Sequence, residues 1–356
     1  MKMIFLGDFV YPKQNCINLS NIKDIFNDKI TVANLEGQIV NNIFKIIDKN
    51  KYNLYSDISV VDVLKNCGVK YVSLANNHTQ DFNNEINETI NILNLNKIDF
   101  FGTKEKPDLT IDNAIKIYGA VTNVTGGNFK KYDVVNRFNP IELLKQIKVD
   151  HEKNPDLKII VYIHWGYELA FYPQPADREW AHKAIDCGAD YIIGHHPHVV
   201  QGAEKYKNGY IFYSLGNFSL PQVEFLGRKL QYFDERVLTQ LCVEIDFTVK
   251  DKDQYLFHIL QYDKKDSSII LVNSVNTIEN DFFKELTPYT GLNTFEYLKW
   301  FNKQNNSKRL LNTSPTFISY ITLKGIDKWT KENYLFLIWT IRKFLIKIKI
   351  HKPYNW

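Results

Sequence analysis

Six short apolar runs, each closed by polar residues, restrict what this chain can fold into more than any other feature. They are Met3–Leu6 into Gly7-Asp8, Ile30–Ala33 into Asn34-Leu35-Glu36, Tyr71–Ala75 into Asn76-Asn77-His78, Ile159–Ile163 into His164-Trp165-Gly166, Tyr191–Ile193 into Gly194-His195-His196, and Tyr210–Leu215 into Gly216-Asn217. The runs are β-branched and nearly continuous in apolar character, which predicts strands buried on both faces. Helical periodicity falls between them. Residues 57–67 place Ile58, Val61, Leu64 and Cys67 on one stripe, with Asp57 as N-cap and Gly68 past the end. Segments 83–95, 140–148 and 176–187 read the same way. Cys67–Leu74 and Cys187–Gly194 share one layout of helix stop, strand and polar end.

Helices alternating with buried strands predict an α/β or α/β/α layered domain. In such sheets ligands gather at the carboxyl ends of strands. The unusual polar residues of this chain all fall there. From Val237 to Val272 the pattern turns β-like, with a hairpin turn expected at Asp251–Asp253. Residues 1–275 are therefore expected to form the main domain, and 276–356 a mostly helical extension. Within that extension Tyr334–Ile341 is nearly all apolar, followed by Arg342, Lys343, Lys347, Lys349 and Lys352. That segment reads either as a helix on an anionic membrane surface or as a docked element. The alternation Lys347-Ile348-Lys349-Ile350 suits an edge strand.

At 356 residues, with 44% apolar and 24% charged residues, the chain has enough apolar material for one large domain or two ordinary ones. The net charge of +4 is spread along the sequence, without a basic stripe interleaved with aromatics, so a nucleic-acid partner is not expected. The four cysteines include no CxxC pair, as suits a reducing compartment. The first residues lack the pattern of a secretory signal, and no apolar stretch reaches a membrane span. A cytoplasmic location is expected, with contact at the inner face of the membrane if the C-terminal segment binds lipid.

His195, His196 and His198 stand within five positions in a chain with nine histidines. In an extended segment His196 and His198 would share a face, and neutral imidazoles ligate Zn, Mn or Fe. Taken alone, the segment fits a metal site and a solvated loop equally. His164, at another strand end, tips the balance towards metal. Asp8 and Glu36 each read singly as turn or helix caps; together with the histidines they offer a mixed oxygen and nitrogen shell. Asn77, His78 and Asp81 add an amide, an imidazole and a carboxylate able to orient that imidazole as a proton donor.

Gly7-Asp8, Asn34-Leu35-Glu36, Asn76-Asn77-His78 with Asp81, His164-Trp165-Gly166, Gly194-His195-His196-Pro197-His198 and Ser214-Leu215-Gly216-Asn217-Phe218 follow an order that resembles the CapA-type capsule and poly-γ-glutamate synthesis proteins. These are a branch of the calcineurin-like metallophosphatase fold, and the resemblance covers about residues 1–245. It implies a layered α/β/β/α sandwich with one or two divalent metal ions (Mn, Fe or Zn) at its edge. In that reading Asp8 bridges two metals. Glu36 and His198 complete one position; Asn77, His164 and His196 complete the other. His78 is the acid or an electrostatic stabiliser, backed by Asp81, and Asn217 shapes the floor. Two departures from the wider phosphatase pattern stand out. The first motif reads Asp8-Phe9-Val10, without the usual histidine, and Glu36 replaces an aspartate.

The resemblance implies a metal-dependent hydrolase, cleaving a phosphoester or an amide, in capsule, poly-γ-glutamate or surface-polysaccharide synthesis. Its partners would be an anionic polymer or phosphorylated precursor and other capsule-synthesis proteins. The competing expectation is a non-catalytic assembly or anchoring subunit of a polymer-synthesis complex.

Overall fold

A computed structural model of the chain describes residues 1–40, 53–82, 86–122, 134–225, 228–230, 234–248 and 254–312. The expected turn at Asp251–Asp253 and the segment Tyr334–Lys352 lie outside these residues. The chain divides into two compact units, one of residues 1–173 with 180–288, the other of 174–179 with 289–355.

The first unit holds fourteen strands of two sheets: β1 Lys2–Phe9, β2 Ile30–Leu35, β3 Val69–Ser73, β4 Asp99–Phe101, β5 Asp108–Ile111, β6 Ile115–Val121, β7 Lys158–His164, β8 Tyr191–His195, β9 Val200–Tyr206, β10 Gly209–Leu215, β11 Asn217–Ser219, β12 Thr239–Asp246, β13 Gln254–Asp263 and β14 Ser268–Val275. One sheet runs β14-β13-β12-β1-β2-β3-β4, with β11 also pairing β1; the other runs β9-β10-β8-β7-β6-β5. Strands β1 to β4 pair in parallel, as do β6, β7, β8 and β10. The antiparallel run β12–β14 matches the β-like stretch after Val237. The two layouts that share a Cys-Gly helix stop lead into strands of different sheets, β3 and β8.

Period-two alternation sorts each strand between two cores. Met3 and Phe5 enter the layer between the sheets with Val32, Val243, Ile160, Tyr162, Ile193 and Phe212. Ile4 and Leu6 face the other way and pack with Ile22, Leu64 and Leu93. The last two come from helices α1 Val60–Asn66 and α2 Ile86–Leu95, which cover the outer face of the first sheet. Helices α3 Pro140–Lys153 and α4 Pro175–Asp186 follow in the chain. Trp180 of α4 meets Trp165 edge to face and donates its indole N–H to Pro140 O at 3.0 Å. The layers are thus α/β/β/α, the sandwich that the resemblance implies. Burial of a side chain such as Phe5 or Phe212 contributes about 1.5–3 kcal/mol.

The expected N-cap of α1 is corrected. Ser59, not Asp57, precedes the helix, and Asp57 Oδ1 accepts from the Ser59 N–H and hydroxyl, at 2.9 and 2.6 Å. Asp57 itself belongs to a short strand, Tyr55–Asp57, paired with Gln38–Val40, which delays the helix. Gly68 does close α1, at φ +65°.

After β14 the first unit continues through α5 Asp281–Leu286, whose Phe283 is buried edge to face on Phe257. In the second unit α6, Thr294–Asn312, buries Tyr297 and Phe301. The Arg178 guanidinium lies 4.8 Å over the Tyr297 ring. Among the described residues no helix is long and apolar enough to cross a membrane.

Candidate metal centre

The site forms where the carboxyl ends of β1, β2, β7 and β8 meet across the inter-sheet layer. Two close approaches of backbone set it. A Cβ on Gly7 would stand 2.1 Å from Gly216 O, and one on Gly194 2.0 Å from Tyr213 O. Only glycine lets β1 lie against the β10–β11 turn and β8 against β10 at these points. The pairing of β1 with β2 shifts register between Phe5 and Asp8. That irregularity takes Asp8 off the outward face, to which alternation from Ile4 and Leu6 would consign it. On β7 the alternation Ile160, Tyr162 continues to His164, and on β8 Tyr191, Ile193 continues to His195, so both imidazoles enter the same layer. His164 and His195 are paired in register.

Asp8 is fully buried. Its Oδ1 accepts from Asn34 Nδ2 at 2.7 Å and lies 3.4 Å from His195 Nδ1; its Oδ2 accepts from the His196 N–H at 3.2 Å and lies 3.4 Å from His198 Nδ1. Glu36, just past β2, is equally buried, with Oε1 3.8 Å from both His164 Nε2 and His198 Nε2. Two sets of ligand atoms lie within 4.8 Å of one another: Glu36, His164 and His196 in one, Asp8, Glu36 and His198 in the other. Asn77 Oδ1 sits 2.8 Å from His164 Nε2, beside the first set.

Glu36 is common to both sets, and Asp8, expected as the bridge, falls in one of them, with its oxygens accepting from Asn34 Nδ2 and the His196 N–H. The extended shape expected for His196-Pro197-His198 is also corrected. The three residues form a bend after β8, with His196 at φ +95° and His198 at φ +58°. Each positive φ on a side-chain-bearing residue costs of order 1–3 kcal/mol and persists only where its surroundings enforce it. The two rings nevertheless stand 6.1 Å apart, centroid to centroid, and His196 lies 4.8 Å from His164.

Electrostatics separate the two carboxylates. Burial raises the Asp8 carboxyl, but His195, His164 and His198 outweigh it and hold Asp8 well below the ordinary carboxylate range. Glu36 is pushed well above that range by burial, then by Asp8, Glu168 and Asp81. Burial and the neighbouring His198 depress His196 to about 3, and burial with His196 depresses His164 too. Both rings are therefore neutral near pH 7, the form that ligates metal.

The donor set fits a divalent cation. Neither carboxylate oxygen of Glu36 and neither ring nitrogen of His196 makes a hydrogen bond with the described residues, although all four atoms are buried. Such atoms cost about 1–3 kcal/mol each when left unsatisfied. One ligand atom each of Glu36, His164 and His196 lie within 4.8 Å of one another, a spacing at which a cation could satisfy them.

Surrounding groups hold the ligands in place. Asn217 Oδ1 meets His198 Nδ1 at 2.8 Å, which leaves Nε2 towards Glu36. Asn76 serves the frame: its Nδ2 donates to Leu35 O at 2.8 Å and to Asn34 Oδ1 at 3.3 Å, while its Oδ1 accepts from the His78 N–H at 3.1 Å. His78 Nδ1 lies 2.6 Å from Asp81 Oδ2, and both residues are buried. Asn34 and His195 carry no role in the sequence reading. Their signal is positional: Asn34 pairs with Asp8 in register, as His195 does with His164. Val10, where the phosphatase pattern has histidine, is buried and donates its N–H to Ser219 O at 2.6 Å.

Known proteins share about half of this chain's sequence. Capsule biosynthesis protein CapA of Bacillus anthracis is 34% identical over 189 residues, 49% of this chain and 46% of the relative. PGA biosynthesis protein CapA of Bacillus subtilis is 31% identical over 191 residues, half of each chain. The chain thus spans about half the length of these relatives. A solved 5'-nucleotidase precursor from Thermus thermophilus overlaps 86% of this chain and 59% of its own length at 11% identity, with a TM-score of 0.35, too low to carry an argument about function. The family model described as bacterial capsule synthesis protein PGA_cap matches residues 18–222, more than half of the sequence. That stretch takes in every residue of the centre except Asp8, which β1 brings in from outside it. The chain belongs to the PGA_cap family of bacterial capsule synthesis proteins.

Proposed function

We propose that the chain is a metal-dependent hydrolase acting in the synthesis of capsule or a related surface polymer, on the anionic polymer itself or on a phosphorylated precursor. The observation that carries this is the pair of buried ligand sets sharing Glu36, with unsatisfied atoms of Glu36 and His196 at their centre. In this reading Asp8, Glu36 and His198 hold one cation, and Glu36, His164, His196 and Asn77 hold a second. The mixed carboxylate, amide and imidazole shell suits Mn, Fe or Zn. When bound, such cations polarise a phosphoryl or acyl oxygen and supply an activated water.

The chain's own residues do the rest. Asp81 holds Nδ1 of His78, so Nε2 is the nitrogen that delivers a proton to the departing oxygen or nitrogen. The depressed basicity of His164 and His196 keeps them ligands and not proton carriers. An amide bond in an acidic polymer and a phosphoester both meet these requirements. The test is metal analysis of the purified protein, with hydrolysis of phosphoester and γ-glutamyl amide panels by wild type, H164A and H196A. Bound metal and turnover in wild type, both lost in the variants, is the expected result. Unchanged turnover in both variants refutes the site.

A second reading is favoured by Val10, which removes a ligand that the wider phosphatase pattern supplies. It is a non-catalytic subunit that keeps the fold and helps assemble or anchor other capsule-synthesis proteins. Metal binding without turnover of any panel member supports it. The apolar and basic sequence Tyr334–Lys352 supports a cytoplasmic site of action against the inner membrane face. Flotation on anionic vesicles, lost on removing residues 330–356, is the matching measurement.

A further inference from the structure

The histidine that the first strand lacks has a counterpart on the opposite sheet. Val10 contributes an apolar side chain, a backbone N–H donated to Ser219 O and a carbonyl that accepts from the Ser219 hydroxyl, but no imidazole. His195, at the end of β8, approaches the same aspartate from across the seam, with Nδ1 3.4 Å from Asp8 Oδ1. It is 1% exposed, and neither of its ring nitrogens makes a hydrogen bond with the described residues. Its ring packs on Tyr162 with centroids 4.1 Å apart. The Tyr162 hydroxyl in turn donates to Leu6 O at 2.7 Å, two residues before Asp8. Position and orientation are therefore set from both sides. A buried imidazole with no satisfied nitrogen, aimed at one oxygen of a candidate ligand, is poorly explained as packing alone, because an apolar ring would fill the space without the cost of unsatisfied polar atoms.

We infer that His195 is a positioning residue for Asp8: it engages Oδ1, fixes the plane of the carboxylate, and so turns Oδ2 towards Glu36 and His198. It thereby tunes the Asp8–Glu36–His198 position and not the Glu36–His164–His196 position. His195 stands outside both ligand sets, so its effect runs through Asp8 and not through a bond to the cation. Groups that orient a metal ligand in this way typically govern affinity by roughly 10- to 100-fold. The inference rests on the metal-centre reading above.

The test is a titration of the full-length chain with Mn(II), read by calorimetry for stoichiometry and affinity and by electron paramagnetic resonance for coupled against isolated ions. Wild type, His195→Phe and His195→Gln are compared. Phenylalanine keeps the contact with Tyr162 and removes the nitrogens, whereas glutamine retains a donor for Asp8. The expected result is two ions in wild type, a roughly 10- to 100-fold weakening of one of them with loss of the coupled signal in H195F, and partial recovery in H195Q. Thermal melts and circular dichroism confirm folding; if H195F fails to fold, His195→Ala takes its place. Two ions bound with wild-type affinity by a folded variant without the imidazole overturn the role of His195 and leave the metal centre standing. No ion bound by wild type overturns both.

Discussion

Glu36 is the carboxylate common to both buried ligand sets, and its behaviour follows from where it sits. Burial and neighbouring carboxylates raise its carboxyl well above the ordinary range, so without a cation the folded state favours the protonated form. Its contribution to folding is complete below the unfolded value and is lost as pH rises towards the folded one. With chelator present, Glu36→Gln should therefore melt higher than wild type, by a margin that widens as pH rises above the ordinary carboxylate range; a constant margin counts against this account. Cation binding requires the carboxylate, so affinity should climb over the same rise in pH, as calorimetry at several pH values can show. Asn217 gives a second prediction at this scale. N217A removes the partner of His198 Nδ1, and metal affinity should fall by roughly 10- to 100-fold with little change in melting temperature. Asp8, Glu36, His164, His196 and His198 are legible in the sequence because each follows a buried run. That Glu36 lies in both ligand sets is not legible, since membership of a set is a matter of distance across the seam and not of spacing along the chain.

Strands and turns decide whether those side chains meet at all. Four expected helices lie close to where their periodicity puts them, with α2 described from Ile86. The misplaced features are local contests between hydrogen bonds. Asp57 bonds Ser59 within a short paired strand, and His196 and His198 adopt left-handed backbone, which no pattern of side-chain polarity announces. The register shift before Asp8 is invisible for the same reason: it depends on how β2 pairs, not on the order Leu6-Gly7-Asp8. The glycine contacts make a prediction here. G194A drives a methyl group into Tyr213 O and towards Trp165 Nε1. Because backbone cannot give way as a flexible side chain does, a loss of about 3 kcal/mol is expected, read as a lower denaturation midpoint with weakened metal binding. An unchanged midpoint would show that β8 can shift off β10 without cost.

At the level of the whole molecule, the layering of helices on buried strands is legible in the apolar runs, the second sheet is implied only by the family resemblance, and the division after residue 288 is not legible. Phe283 joins the first unit by packing on Phe257, a contact that the helical pattern beyond residue 276 does not reveal. All the ligand candidates, from Asp8 to His198, belong to that first unit. A chain ending at residue 312 should therefore keep wild-type cation stoichiometry, as metal analysis after gel filtration can establish.

Each ligand set takes members from both sheets: Asp8 and Glu36 from one, and His164, His196 and His198 from the other. An ion seated there is consequently a fastener across the sandwich as well as a reagent. Saturation at one hundred times the dissociation constant would add about 2.7 kcal/mol to the unfolding free energy. Stripping the ion with a chelator should loosen the carboxyl rim first, so amide exchange ought to quicken in the bend after β8 before it does in the strands beneath.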